Sequence, residues 1–253
     1  MRKAIFSIGL VMAMVLATTA PAMAASSGSE TASVTVTAVL SITLQDYGAT
    51  NGIDYGSLTP GTNNNVEEEQ TTASSPADTG ATTAGGGGTT ITDSGATFVT
   101  DAIIQPGMIA YNTTDASTAY VVSVDSETQI TTTTLTGGTD QTWASGDTYT
   151  IYHGAVAIII ESETNVACYA KVSTDAANFS DGGTNTFAVS NAKWDNDDDA
   201  SNGTAMSTTP TQMGSQFSDT AADQYINVWH TLSIPGGQAQ ASYSVGFVYE
   251  ITQ

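Results

Sequence analysis

The chain has 253 residues, room for one large domain or two small ones, and carries 25 Asp and Glu against 4 Lys and Arg, a formal net charge of −21. So few cations exclude the phosphate neutralisation that nucleic-acid binding needs, and equally attraction to an anionic membrane surface. Hydrophobic residues make up 40% and charged residues only 11%, so solubility rests on hydroxyls and amides.

Arg2 and Lys3 stand ahead of an apolar run from Ala4 to Ala17 that ends in Ala22-Met23-Ala24, which reads as a secretory signal peptide over residues 1–24. Cleavage after Ala24 leaves Lys171 and Lys193 as the only basic residues. Beyond it no stretch approaches the roughly 20 apolar residues of a membrane span, so no span is expected in the mature chain. Cys168 is the single cysteine, which forbids an intrachain disulfide.

The abundance of Thr and Gly predicts strands and turns, and the expected fold class is all-β. Residues 33–44, SVTVTAVLSITL, alternate with a period of two: Val34, Val36 and Ala38 share one face, and the face shifts at Val39 and Leu40. Residues 46–61 mix short apolar pieces with turn residues such as Gly56, Pro60 and Gly61, as a sandwich edge does. Residues 63–88 lose all periodicity and hold Glu67-Glu68-Glu69 and the tetraglycine 85–88, so a linker is expected there.

Residues 89–153 read as a small β module, with strands expected near 90–92, 96–99, 108–111, 119–124, 129–135 and 148–152. The unbroken apolar run 155–160 and the segment 166–172 suit a sandwich core, and in 241–251 the residues Tyr243, Val245, Phe247, Tyr249 and Ile251 point one way. An antiparallel sandwich, immunoglobulin-like or jelly-roll-like, built from 30–62 and 154–253 with 89–153 inserted, accounts for both halves.

Two resemblances follow from these residues. The run from Thr90 to Tyr152 resembles a small β module recurring in phage virion proteins and secreted proteins, which implies a spacer and brings no catalytic residues. SVTVTAVLSITL after an exported N-terminus, then IDYGSLTPGT, then IPGGQAQASYSVGFVYEIT resemble secreted sandwich subunits of microbial surface fibres: the TasA/camelysin-like and archaeal pilus subunits and, more distantly, the spore-coat-U-like secreted pilins. The latter usually carry paired cysteines, where this chain has only Cys168. The resemblance implies a homopolymer formed by β-strand complementation. The candidate assembly residues are Val34, Val36, Ala38, Leu40 and Ile42, the alternative being that this strand closes its own sheet.

The densest charge cluster, Asp195 to Asp199, invites a Ca2+ reading through Asp195, Asp197 and Asp199, against a solvated loop of like charges. It departs from the EF-hand pattern, with Ala200 at the turn glycine and Met206 at the bidentate Glu. No other cofactor is expected. Catalysis has thin support: two histidines, His153 and His230, no Gly-x-Ser-x-Gly elbow, and a Cys168 whose apolar neighbours suit a small buried hydrophobe. The chain is therefore not expected to be an enzyme. Trp143 and Trp194 are expected at the surface, where with Tyr residues they offer sugar-stacking platforms, and Trp229 in the core. Sequons stand at Asn112, Asn178 and Asn202. The expected function is a secreted structural subunit of an extracellular filament or cell-surface layer; the alternative is a surface adhesin or carbohydrate-binding protein.

Overall fold

The computed structural model describes residues 40–47, 52–67, 70–85, 87–100, 104–198, 202–218 and 222–253. Among the described residues the regular structure is strand apart from short 3-10 stretches, Val189–Asn191 being the longest. The first strands are β1 (Ile42–Asp46), β2 (Asn65–Val66), β3 (Asp78–Ala81), β4 (Thr90–Thr92), β5 (Ile109–Asn112), β6 (Ser117–Ser126), β7 (Gln129–Thr132), β8 (Thr136–Gly137) and β9 (Thr148–Tyr152). They are followed by β10 (Val156–Ile160), β11 (Cys168–Thr174), β12 (Asn178–Ser180), β13 (Thr186–Ala188), β14 (Ala192–Asp195), β15 (Thr204–Ala205), β16 (Thr211–Phe217), β17 (Gln224–Leu232) and β18 (Phe247–Thr252).

Two sheets face each other as an antiparallel sandwich. One runs β1-β10-β17-β14-β15, with β2 on the far end of β17; the other runs β16-β11-β18. Alternation sets which side chains meet between them: Val156, Ile158 and Ile160 from β10, Ala170 and Val172 from β11, Ile226 and Val228 from β17. The β12–β13 hairpin adds Phe179 and Phe187, whose rings stack 4.8 Å apart. All five aligned residues of the last segment, Tyr243, Val245, Phe247, Tyr249 and Ile251, pack on this core, although regular pairing begins only at Phe247.

The inserted module is a curled seven-stranded sheet, β3-β9-β5-β6-β7-β4 with β8 on β6. Its core holds Ile91, Ala110, Val121, Ile130, Leu135, Trp143 and Ile151. The expected strands at 90–92 and 148–152 are β4 and β9, whereas 96–99 is irregular chain leading into a turn. Residues 63–88 differ from the expected linker. Asn65 and Val66 pair with Leu232 and Thr231, and Asp78 to Ala81 line up with Ile151 to Thr148 as a strand of the module sheet. Strands of two and four residues, Asn-Val and Asp-Thr-Gly-Ala, are too short to display a period. Between them the Gln70 side-chain amide stands in for a strand, exchanging bonds of 2.9 and 3.0 Å with the N–H and carbonyl of His230.

The module leaves and rejoins the sandwich at one point, where the Thr71 N–H donates to the His153 carbonyl (2.9 Å) and the His153 N–H to the Thr71 hydroxyl (2.9 Å). The apolar run of β10 is long because it serves two cores: its even residues enter the sandwich, while Ala157 belongs to the module core. β17 does the same. Its buried Asn227 accepts from the Gly154 N–H (3.0 Å) and donates to the Gly107 carbonyl (2.8 Å), and the Trp229 indole donates to the Thr71 carbonyl (2.8 Å). Trp229 is thus buried, as expected, but in the seam between the two parts, against Ile109.

Trp143 and Trp194 correct the expectation of surface rings. Trp143 is 1% exposed under the loop after β8, where Thr132 accepts its indole N–H (3.1 Å); Trp194 is 5% exposed on the core face of β14. Each lies among turn or charged residues in sequence, and tertiary packing alone turns the ring inward.

Candidate functional site

The sandwich core is open along one side. β1 is the last strand of its sheet, and its pairing of Ile42, Leu44 and Asp46 with Ile160, Ile158 and Val156 places these three on the core-facing side. Leu44 nonetheless remains 46% exposed, because no strand of the opposite sheet lies over it. The missing cover lies beside β18, which pairs with β11 through six unbroken positions on one edge and with no described strand on the other. The far edge of that sheet is different. β16 breaks register between Cys168 and Ala170 and carries Gly214 at φ 66°, a bulge of the kind that blunts an edge.

The opening is a groove of about 1260 Å³ whose walls are core residues, among them Val156, Phe187, Phe247 and Tyr249, with Leu44 at its mouth. Residues 52–60 and 238–246 form its rims. Beneath it lies a buried polar cluster. His230 is fully buried, its Nε2 2.7 Å from the Tyr249 hydroxyl, and burial holds its pKa down at about 3, so the ring is neutral. Burial also pushes the Tyr249 hydroxyl up, with the Asp46 carboxylate adding to it. The Tyr55 hydroxyl is raised for the same reason, with Tyr249 and Glu67 contributing, and it is buried without a hydrogen-bond partner.

Of the candidate assembly residues, Val34, Val36 and Ala38 lie outside the described residues. Ile42 packs on the core within β1, and Leu40, just before the strand, is 40% exposed. The Asp46 end of β1 enters the groove, and the Ile42 end, which Leu40 precedes, does not line it. The groove was hidden from sequence reasoning because it depends on which edges adjoin in space.

Asp199 also lies outside the described residues. Asp195 turns its carboxylate to the N–H groups of Asn196 and Asp197 (2.8 and 3.3 Å), and Asp198 accepts from the Ala73 N–H (3.0 Å). Among the described residues no three His, Cys, Asp or Glu side chains gather as a metal would require. Cys168 is fully buried, which pushes its thiol up, and the His153 Nδ1 lies 2.7 Å from the Gly154 carbonyl. Asn178 and Asn202 are exposed. Asn112, in contrast, is fully buried, its amide donating to Asp147 (3.0 Å) and Asp115 (3.2 Å); a folded chain cannot present it for glycosylation.

No helix among the described residues is long and apolar enough to cross a membrane. Comparison with known proteins adds no relative: no family model, curated protein or solved structure matches this chain.

Proposed function

We propose that the protein is a secreted structural subunit of an extracellular filament or cell-surface layer, and that copies join when the segment before β1 of one subunit adds as a strand to the free β18 edge of the next. The carrying observation is Leu44, a core-facing residue left 46% exposed at the mouth of an apolar groove. Covering the exposed half of the Leu44 side chain is worth about 1 kcal/mol, and pairing along β18 adds main-chain hydrogen bonds.

Length and direction favour a second copy as the occupant. Residues 25–39 of the expected mature chain span roughly 50 Å when extended, against about 20 Å for the six residues of β18. They are tethered at Leu40, while the groove lies toward the Asp46 end of β1, an arrangement that suits head-to-tail contacts propagating as a filament. Their alternation of Val34, Val36 and Ala38 with Ser33, Thr35 and Thr37 matches a strand with one face in a groove.

The test compares the chain from residue 25 with one starting at Leu40, by light scattering and negative-stain microscopy. Filaments from the longer chain alone are expected. Monomers from both at every concentration, or polymers from both, overturn the proposal.

A further inference from the structure

The rim formed by residues 52–61 differs from every other border of the groove. Between residues 53 and 58 its backbone makes one hydrogen bond, a local one from the Gly56 N–H to Asp54 (2.8 Å), and none to either sheet. It is anchored only at its ends, where the Gly52 N–H donates to Asp46 (2.6 Å) and the Gly61 N–H to the Ile234 carbonyl (2.8 Å). Both end residues are glycines at positive φ, 110° and 87°, with nothing within 4 Å of where a side chain would begin; backbone conformation, not space, calls for them. What holds the middle down is Tyr55 and Leu58, laid on the sandwich core inside the groove.

That closed position carries a defect. The Tyr55 hydroxyl is buried with no partner, although moving the segment outward returns it to water. A segment with glycine ends, no ladder bonds and an unsatisfied buried group sits at the low-stability end of a fold.

We infer that residues 52–61 are a displaceable plug: in the free subunit Tyr55 and Leu58 occupy part of the groove, and an incoming strand enters by lifting them out. This rests on the strand-exchange reading above and adds its regulation. The plug shields the core of an unpolymerised subunit, and the orphaned hydroxyl keeps the plug from closing too tightly. No other pair of apolar side chains on the groove's rims combines ring burial with a backbone free of the sheets.

The test uses the chain from residue 25, held below the concentration at which it polymerises, and a fluorescent synthetic peptide of residues 25–39, with association followed by anisotropy. Tyr55→Phe keeps the ring and removes the defect, so capture slows by about tenfold; Tyr55→Ala removes the ring and capture speeds up by a similar factor. Thermal unfolding reports whether Tyr55→Ala keeps its sandwich, and the isosteric Tyr55→Phe keeps the test decisive if it does not. Peptide bound at equal rates by wild type and Tyr55→Phe overturns the plug and leaves the groove reading standing. Peptide bound by none of the three proteins overturns the strand-exchange reading and this inference with it.

Discussion

His230 gives the sandwich an acid limit that can be worked out from its surroundings. The unfolded chain takes up a proton there near pH 6.5, whereas in the fold burial lowers the pKa to about 3. Between those values the unfolded state binds one more proton than the native state, so stability from this residue is full above pH 6.5 and is lost as pH falls toward 3. At about 1.4 kcal/mol per unit, the loss across the window is about 5 kcal/mol, a large share of a typical domain's stability. The assay is urea unfolding at a series of pH values from 7.5 to 3.5 for wild type and His230→Gln. Gln offers the Tyr249 hydroxyl an acceptor without titrating, so the variant starts less stable but declines with a shallower slope. The exposed carboxylates held low by hydrogen bonds, Glu127 by Thr100 and Asp181 by Asn185, act in both proteins and cancel in the comparison. Equal slopes between pH 6.5 and 4 refute the reasoning, because they mean that His230 reaches solvent or a counter-charge in the native state.

Four further outcomes are expected. Gly154→Ala drives a methyl into the Val228 backbone where the module rejoins the sandwich, and should cost at least about 2 kcal/mol in thermal unfolding. Asn112→Ala removes one donor from each of Asp147 and Asp115 and the acceptor of the Thr114 and Asp115 N–H groups, and should cost about 1–3 kcal/mol by the same measure. Cys168 should resist a thiol reagent in the native protein and react in 6 M guanidinium, which an absorbance assay reads directly. Polymerisation, followed by light scattering, should quicken between about 10 and 150 mM salt, as the Debye length falls from roughly 30 to 8 Å around subunits that, without Arg2 and Lys3, are more acidic than the full chain's net charge of −21.

Much of the fold was legible where alternation is strong and strands are long enough to display it. β4 and β9 fall where their patterns put them, and the last segment turns the expected five side chains inward. Legibility fails where pairing is made by fragments. Asn65–Val66 and Asp78–Ala81 are too short to show a period, and Gln70 joins the sheet through its side chain, for which no sequence signal exists. Trp143 and Trp194 were misplaced because their neighbours in sequence are polar while their neighbours in space are not. For the candidate site, Ile42 and Leu44 were visible as strand residues. That one is covered and the other exposed follows from the absence of a strand in the opposite sheet, which no local pattern records.

The double service of β10 and β17 has a thermodynamic side. Val156 and Ile158 need the sandwich, Ala157 and Tyr47 complete the module, and Asn227 bonds to the backbone of both. Neither part can melt without stripping a wall from the other, so the chain should absorb heat in one transition whose calorimetric and van't Hoff enthalpies agree. An insertion of this kind behaves less like a passenger on a scaffold than like the second half of one cooperative unit.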